Sequence, residues 1–232
     1  RGTISGSSGD RLGAAIATNH VGFAAGAPGG DSGEGNVCFY SFFTAEDAPP
    51  DPVPLQAATV IELTGDGQVQ AVDIKGDLAV TGRAPANNGA GGLTVLRNDG
   101  ASWSELALVA GAAEELMGYS VAVCDGWVVA GCPGMGSASG TVRTWAIDAD
   151  NALAEHETLS PFTHPNAKAG FDVDLHRRSN GDVYLIVGAP GVSTQGDDML
   201  TYGGFAVYYR SPADSEWTML LSETAPHGGS YG

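Results

Sequence analysis

The sequence predicts an all-β fold, a β-propeller of four-stranded blades, on three observations. A glycine-flanked apolar hairpin ending in Gly-Ala-Pro or a near copy occurs four times: Gly26-Ala27-Pro28, Gly82-Arg83-Ala84-Pro85, Gly131-Cys132-Pro133 and Gly188-Ala189-Pro190. Each copy leads into a polar glycine loop and two further strand-like segments, which gives four short strands in about 50 to 60 residues, the size of one blade. Glycine supplies 35 of the 232 residues without a three-residue period, which suits tight turns between many strands and not a collagen-like chain.

The elements follow in chain order. The first repeat, 9–64, has a strand over 12–17, a turn near His20, a return strand over 22–28, a third strand over 36–42 and a fourth within 54–63. The second, 65–114, has 69–72, a turn at Gly76-Asp77, 78–82, 92–97 and 103–110. It has lost the leading glycine and gained a residue before Pro85. The third, 115–166, has 117–122, a turn at Asp125-Gly126, 127–133, 140–147 and 154–159, and its stretch 121–131 aligns with 16–26 without a gap. The fourth, 167–227, has 170–173, a longer turn over 177–182, 184–190, 204–209 and 217–222; residues 228–232 resemble the opening of a fifth. Runs 78–80 and 127–130 are apolar on both faces, as inner strands packed between neighbouring blades are. Residues 107–117 have helical propensity, but their place at a blade junction predicts strand plus loop. Segments 49–54 and 160–169 read as extended connectors.

The formal charge of −17, from 27 acidic and 10 basic residues, is spread along the chain. Such a field repels phosphate backbones and anionic lipid, so nucleic acid and acidic membrane surfaces are excluded as expected partners. No run of eighteen apolar residues offers a membrane span. Three cysteines, Cys38, Cys124 and Cys132, cannot make a disulfide framework. A hairpin at Asp125-Gly126 sets Cys124 beside Trp127 and carries Cys132 beyond bridging distance, so all three are read as buried apolar residues. The chain opens at Arg1 with no signal-like segment, as a processed chain or a fragment does.

Leu12-Gly13 or Met117-Gly118, paired with the downstream Gly-Ala-Pro, resembles the FG-GAP repeat, which builds the seven-bladed propeller of integrin α-subunits. Four repeats against seven imply part of a larger propeller with a cut edge at Gly232, with an atypical four-bladed ring as the alternative. The resemblance also implies an extracellular or organelle-lumen location and a protein-binding role.

Many members of that family carry a calcium loop at the hairpin before Gly-Ala-Pro. The corresponding segments here, Asn19-His20, Lys75-Gly76-Asp77, Asp125-Gly126 and 177–182, lack the several spaced carboxylates that calcium requires, so no metal or cofactor is expected. Asp31 with Glu34, and Asp197 with Asp198, read as solvated loops. Gly30-Asp31-Ser32-Gly33 mimics a protease nucleophile signature without the fold that would supply its base and aspartate. His20, His156, His164, His176 and His227 have no ligand spacing and read mostly as exposed loop residues. Asp172 and Asp174 share a strand face; because Asp73 falls at the repeat position of Asp174, a structural role at turn amides near the channel is expected.

No convergent catalytic set is visible, so the chain is expected not to be an enzyme. The function expected is a scaffold that docks another protein, through loops 29–36 and 192–202. The alternative is carbohydrate binding with Tyr202, Tyr208 or Trp145 stacking on sugars, and an enzyme with a channel-mouth site is the third reading.

Overall fold

Among the described residues the chain forms sixteen strands and no helix. The computed structural model describes residues 11–20, 22–28, 35–41, 59–63, 68–83, 89–134, 136–192 and 203–224. The first sheet holds β1 (Ala15–Thr18), β2 (Gly22–Ala27), β3 (Asn36–Ser41) and β4 (Thr59–Glu62); the second holds β5 (Val69–Lys75), β6 (Leu78–Arg83), β7 (Gly92–Asn98) and β8 (Trp103–Ala110). The third holds β9 (Val121–Cys124), β10 (Trp127–Cys132), β11 (Thr141–Ile147) and β12 (Leu153–Leu159), and the fourth β13 (Asp172–Arg177), β14 (Val183–Ala189), β15 (Gly204–Arg210) and β16 (Thr218–Thr224). Each is a four-stranded antiparallel meander in chain order, because every connection within it is a hairpin.

The all-β reading of four-stranded units is borne out. The first strands of the first, third and fourth sheets start a few residues later than the pattern suggests, while that of the second starts at Val69 as expected. The leading residues 117–120, for instance, form the turn that enters β9. Residues 107–117 are the end of β8 followed by turn, not helix. Residues 160–169 are not a simple extended connector: they contain a turn, and Ala167 and Ala169 are buried in the core between the third and fourth sheets. The connector at 49–54, the loops at Asp31, Ser32, Glu34, Asp197, Asp198 and Tyr202, and His227 with the start of a fifth repeat lie outside the described residues.

The sheets stack in series through their first strands: β1 packs on β5, β5 on β9 and β9 on β13. Among the described residues no comparable packing joins β13 back to β1. Three cores fill the three junctions. Ala24 and Val37 of the first sheet meet Val69, Val72, Ile74 and Ala79 of the second. Val80 and Leu93 of the second meet Val121, Val123 and Val128 of the third, and Val129 and Val142 of the third meet Val173, Leu175 and Leu185 of the fourth. Strands of the second and third sheets thus send alternate residues to two different junctions, which is why β6 and β10 are apolar on both faces. A register shift recurs at the same place in three sheets, between Val95 and Leu96, Thr144 and Trp145, and Val207 and Tyr208. Bulges at these points bend the outer strand and add twist.

At the heart of a junction two glycines meet. A Cβ added to Gly131 would collide with the carbonyl oxygen of Gly170, and one added to Gly82 with that of Gly118. Gly118 and Gly170 have φ of 79° and 82°, in the left-handed region that glycine occupies without steric cost. The first junction uses a variant in which Gly26 faces Val69, whose Cγ1 lies 2.6 Å from an added Cβ. Gly131→Ala therefore drives a methyl into backbone that cannot yield, and urea unfolding should show a loss of about 2–3 kcal/mol; a change below about 0.5 kcal/mol, ordinary for a surface site, would contradict this junction.

Candidate functional site

Two places gather exposed chemistry. The first surrounds the convergence of the first strands. Hairpin tips of the first three sheets and strand β13 of the fourth line a hollow of about 500 Å³ that includes His20, Asp73, Lys75, Asp125 and Asp174. Gly126, at φ 83°, turns the third tip, and Asn19 Nδ2 donates to Gly76 O at 3.2 Å to tie the first tip to the second. Arg177 Nη1 donates to Asp125 O at 2.6 Å, tying the fourth to the third.

Asp73 bridges two sheets. Its Oδ1 accepts from its neighbour Ile74 N at 2.8 Å, and its Oδ2 accepts from Val123 N of the next sheet at 2.8 Å. Asp174, opposite Ile186 as Asp73 is opposite Val80, repeats the first contact, with Oδ1 accepting from Leu175 N at 2.9 Å. The structural role expected for these aspartates is thus met by strand amides, not turn amides. Burial pushes the Asp73 carboxyl above the usual carboxylate range; the Val123 and Ile74 amides and the Lys75 charge oppose this, and the Asp174 charge adds to it.

No group of three or more His, Cys, Asp or Glu stands together as a metal cage among the described residues. Among the described residues His20 and His164 lie in loops, whereas His156 lies half-buried on β12 with its ring edge-on to Trp127, 5.0 Å between centroids, and His176 lies exposed on β13. The fold packs a broad aromatic surface between the third and fourth sheets and draws His156 into it. All three cysteines are buried, and Cys124 is opposite Trp127 in the register. Burial pushes the Cys124 thiol up to about 12 and the Cys132 thiol higher still.

The second place is the outward face of the fourth sheet. Phe171, Asp172, Gly188, Pro190, Phe205 and Glu223 border a mostly apolar hollow of about 660 Å³. Ile186 is 48% exposed, Phe205 42% and Leu221 41%. Their repeat positions are informative. Ala24, Val80 and Val129 stand where Ile186 stands, two residues before the junction glycine, and all are fully buried. Val37, Leu93 and Val142, each opposite that glycine, stand where Phe205 stands, and they too are fully buried. Among the described residues no neighbouring sheet lies against Gly188: an added Cβ would meet nothing closer than Asp172 O at 3.5 Å.

The stacking residues proposed from sequence are corrected. Trp145 and Tyr208 are buried, in the second and third junction cores respectively, because bulky aromatics at this β11 and β15 position fill the wide outer part of a junction. Tyr202 and most of loops 29–36 and 192–202 lie outside the described residues. Phe171 and Phe205 are the exposed rings. Their signal was present in the alignment, where Phe205 is an aromatic at a position that is aliphatic in the other three copies.

No family model and no curated protein matches the sequence. Among solved structures, the GH93 α-L-arabinofuranosidase of Fusarium graminearum in complex with arabinobiose is similar, at TM-score 0.52 and 9% identity over 92% of this chain and 71% of that one. The fold is a β-propeller. The four sheets are therefore blades, and the hollow at their hairpin tips lies on the propeller axis. The chain also matches a D477G ACO/RPE65 chimera at TM-score 0.48 and 11% identity, over 89% of this chain and 47% of that one. A third match is the Kuenenia stuttgartiensis hydrazine synthase, at TM-score 0.41 and 11% identity over 89% and 66%. This chain spans about half the length of the chimera.

The arabinofuranosidase match corrects one expectation. The chain was read as no enzyme because no catalytic motif appears in it, yet the arabinofuranosidase is an enzyme of the same fold. A propeller collects side chains from separate blades at a common mouth, so short sequence motifs are a poor guide to its chemistry, and exclusion of catalysis is withdrawn. The FG-GAP resemblance rests on the hairpin motif alone.

Two measurements check the site. A carboxyl whose pKa is raised by folding contributes stability that is whole below its unfolded-chain value and is lost as pH rises through the folded value. Asp73→Asn should therefore gain on the native chain in unfolding free energy as pH rises from about 3.5 to about 7; a difference that stays flat with pH would contradict the burial of that charge. The three thiols should resist an aromatic disulfide reagent in the native chain at neutral pH and react together once urea unfolds it, since a thiol held protonated and out of solvent is a poor nucleophile. Rapid labelling of Cys124 in the native chain would contradict its placement.

Proposed function

We propose that this chain is a protein-interaction module that engages its partner through the outward face of the fourth blade. The observation that carries the reading is the exposure of Ile186 and Phe205 at repeat positions fully buried in every other blade. Contiguous exposed apolar surface of this kind is a marker of an interaction site, and aromatic residues are the side chains that most often dominate protein interfaces. The net charge of −17 disfavours nucleic acid as the occupant and leaves the apolar face as the main source of affinity. An extracellular or organelle-lumen location belongs to the same proposal, and the burial of all three thiols is compatible with it.

Photo-crosslinking tests this directly. With p-benzoylphenylalanine at position 205, a discrete protein adduct is expected in the native extract. The same label at exposed Ala154 of β12 should give none. Equal labelling from both positions, or no protein adduct at 205, would overturn the reading.

A second reading is supported by the two exposed rings, Phe171 and Phe205, beside Asp172 and Glu223 in one hollow. Rings that stack on a sugar face and carboxylates that accept from its hydroxyls are what a glycan-binding hollow needs, and the arabinofuranosidase is a propeller solved with arabinobiose. Arabino-oligosaccharides should then raise the melting temperature and protect Phe205 peptides from hydrogen exchange, and any release of smaller sugars would make the hollow catalytic. No shift at millimolar oligosaccharide, about the weak limit of useful binding, would remove this reading.

A further inference from the structure

The outer ends of the second and third junctions differ position by position. In the second, Leu78, Leu106, Ala107, Ile147 and Leu153 pack into one apolar cluster. In the third, the same places are held by Trp127, His156, Glu157, Arg210 and Trp217. Leu106 and His156 are each the residue passed over at a register shift, with Ala107 and Glu157 next to them. Leu78 and Trp127 are the fourth residues before Gly82 and Gly131. Arg210 and Trp217 come just beyond the Tyr209–Thr218 pair, as Ile147 and Leu153 come just beyond the Ala146–Ala154 pair.

We infer that the third junction is an opening joint: its outer end parts locally and admits water, while the approach of Gly131 to the Gly170 carbonyl keeps its inner end closed.

Unpartnered polar atoms carry the inference. Nδ1 of His156, Nε of Arg210 and Nε1 of Trp217 are buried without a hydrogen-bond partner among the described residues. The other such side-chain atom there is Oγ1 of Thr81, which shares the side of β6 that Ala79 turns to the first junction. The second junction therefore has none, and the third has three around one indole. The His156 ring stands 5.0 Å from the Trp127 ring, the Trp217 ring 5.3 Å from it, and the Arg210 guanidinium carbon 4.6 Å over it. A donor buried without an acceptor forfeits the hydrogen bond it made with water, so ring packing holds this end shut against a penalty that aliphatic side chains do not carry.

The nearby charges do not remove that penalty. Glu157 Oε2 accepts from Trp217 N at 3.1 Å, but it stands 3.9 Å from His156 Nδ1, beyond hydrogen-bond length. Arg210 lies over the indole and not on that carboxylate. Parting the blades by the width of a water solvates all three atoms at once. It leaves the strand ladders whole, because β11 pairs with β12 and β15 with β16 inside their own blades. The Trp217 N bond to Glu157, which crosses the joint, is replaced by water. An opening that gives up few contacts and no ladder bonds occurs far more often than global unfolding.

Indole N–H exchange followed by NMR tests the joint, because Trp217 lies in the third junction core and Trp145 in the second. In the native chain the Trp217 indole proton should exchange at least about tenfold faster than that of Trp145, at a rate that low urea barely changes, since a local opening exposes little surface. His156→Leu installs the kind of residue that the second junction has and should slow Trp217 exchange about tenfold while Trp145 stays unchanged, as removal of an unpartnered buried group allows. A Trp217 proton that exchanges no faster than that of Trp145, or only with the full urea dependence of global unfolding, overturns the inference in the native chain alone, whether or not the variant folds. A folded His156→Leu chain with native circular dichroism and unchanged Trp217 exchange also overturns it.

Discussion

The approach of one blade's glycine to the carbonyl of the next blade's leading glycine is the contact on which the rest of the structure depends. Where Gly131 meets Gly170, and Gly82 meets Gly118, no side chain separates the backbones, so the spacing between first strands is set by main-chain atoms alone. That spacing decides what fits on either side. Val129 and Val142 reach Val173 and Leu185 across the junction, and each such aliphatic side chain removed from water contributes about 1.5–3 kcal/mol. The Asp73 bridge to Val123 N then fixes the register of neighbouring first strands at the axis. A fold built this way is a series of near-identical contacts.

Much of this was legible in the residues. The recurring hairpin and its glycines gave the strand count and the order of strands within each sheet, because a turn residue and an apolar run are local signals. The burial of Cys124 beside Trp127 followed from a two-residue turn at Asp125-Gly126 and needed no tertiary information. What stayed hidden was set by contacts between repeats. The register shifts at Val95, Thr144 and Val207 leave no mark in composition. His156 reads as a polar residue on an outer strand, and its packing against Trp127, two strands away in the same blade, follows from the register shift that leaves it between Glu155 and Glu157. Trp145 and Tyr208 read as available aromatics, since a strand shows the period of its side chains but not which face is covered.

The candidate site was legible as a location but not in its chemistry. Alignment places Ile186 with Val129 and Phe205 with Val142, which marks both as junction residues; that their junction is open is a property of the assembled series. The similarity to an arabinofuranosidase concerns the fold. The hollow with Asp73, Asp125, Asp174 and Lys75 lies where the first strands converge and is lined by charged as well as apolar side chains. The outward face differs in kind, since apolar side chains surround its few carboxylates.

The claim that main-chain contact at the junction glycines holds neighbouring blades together is tested most directly by hydrogen exchange followed by mass spectrometry on the native chain and on Gly131→Ala. Peptides covering β10 and β13 should lose protection together in the variant, because the added methyl meets the Gly170 carbonyl, while peptides covering β2 and β5, which meet at a different junction, stay unchanged. Exchange of β10 and β13 that is the same in both proteins would contradict the account.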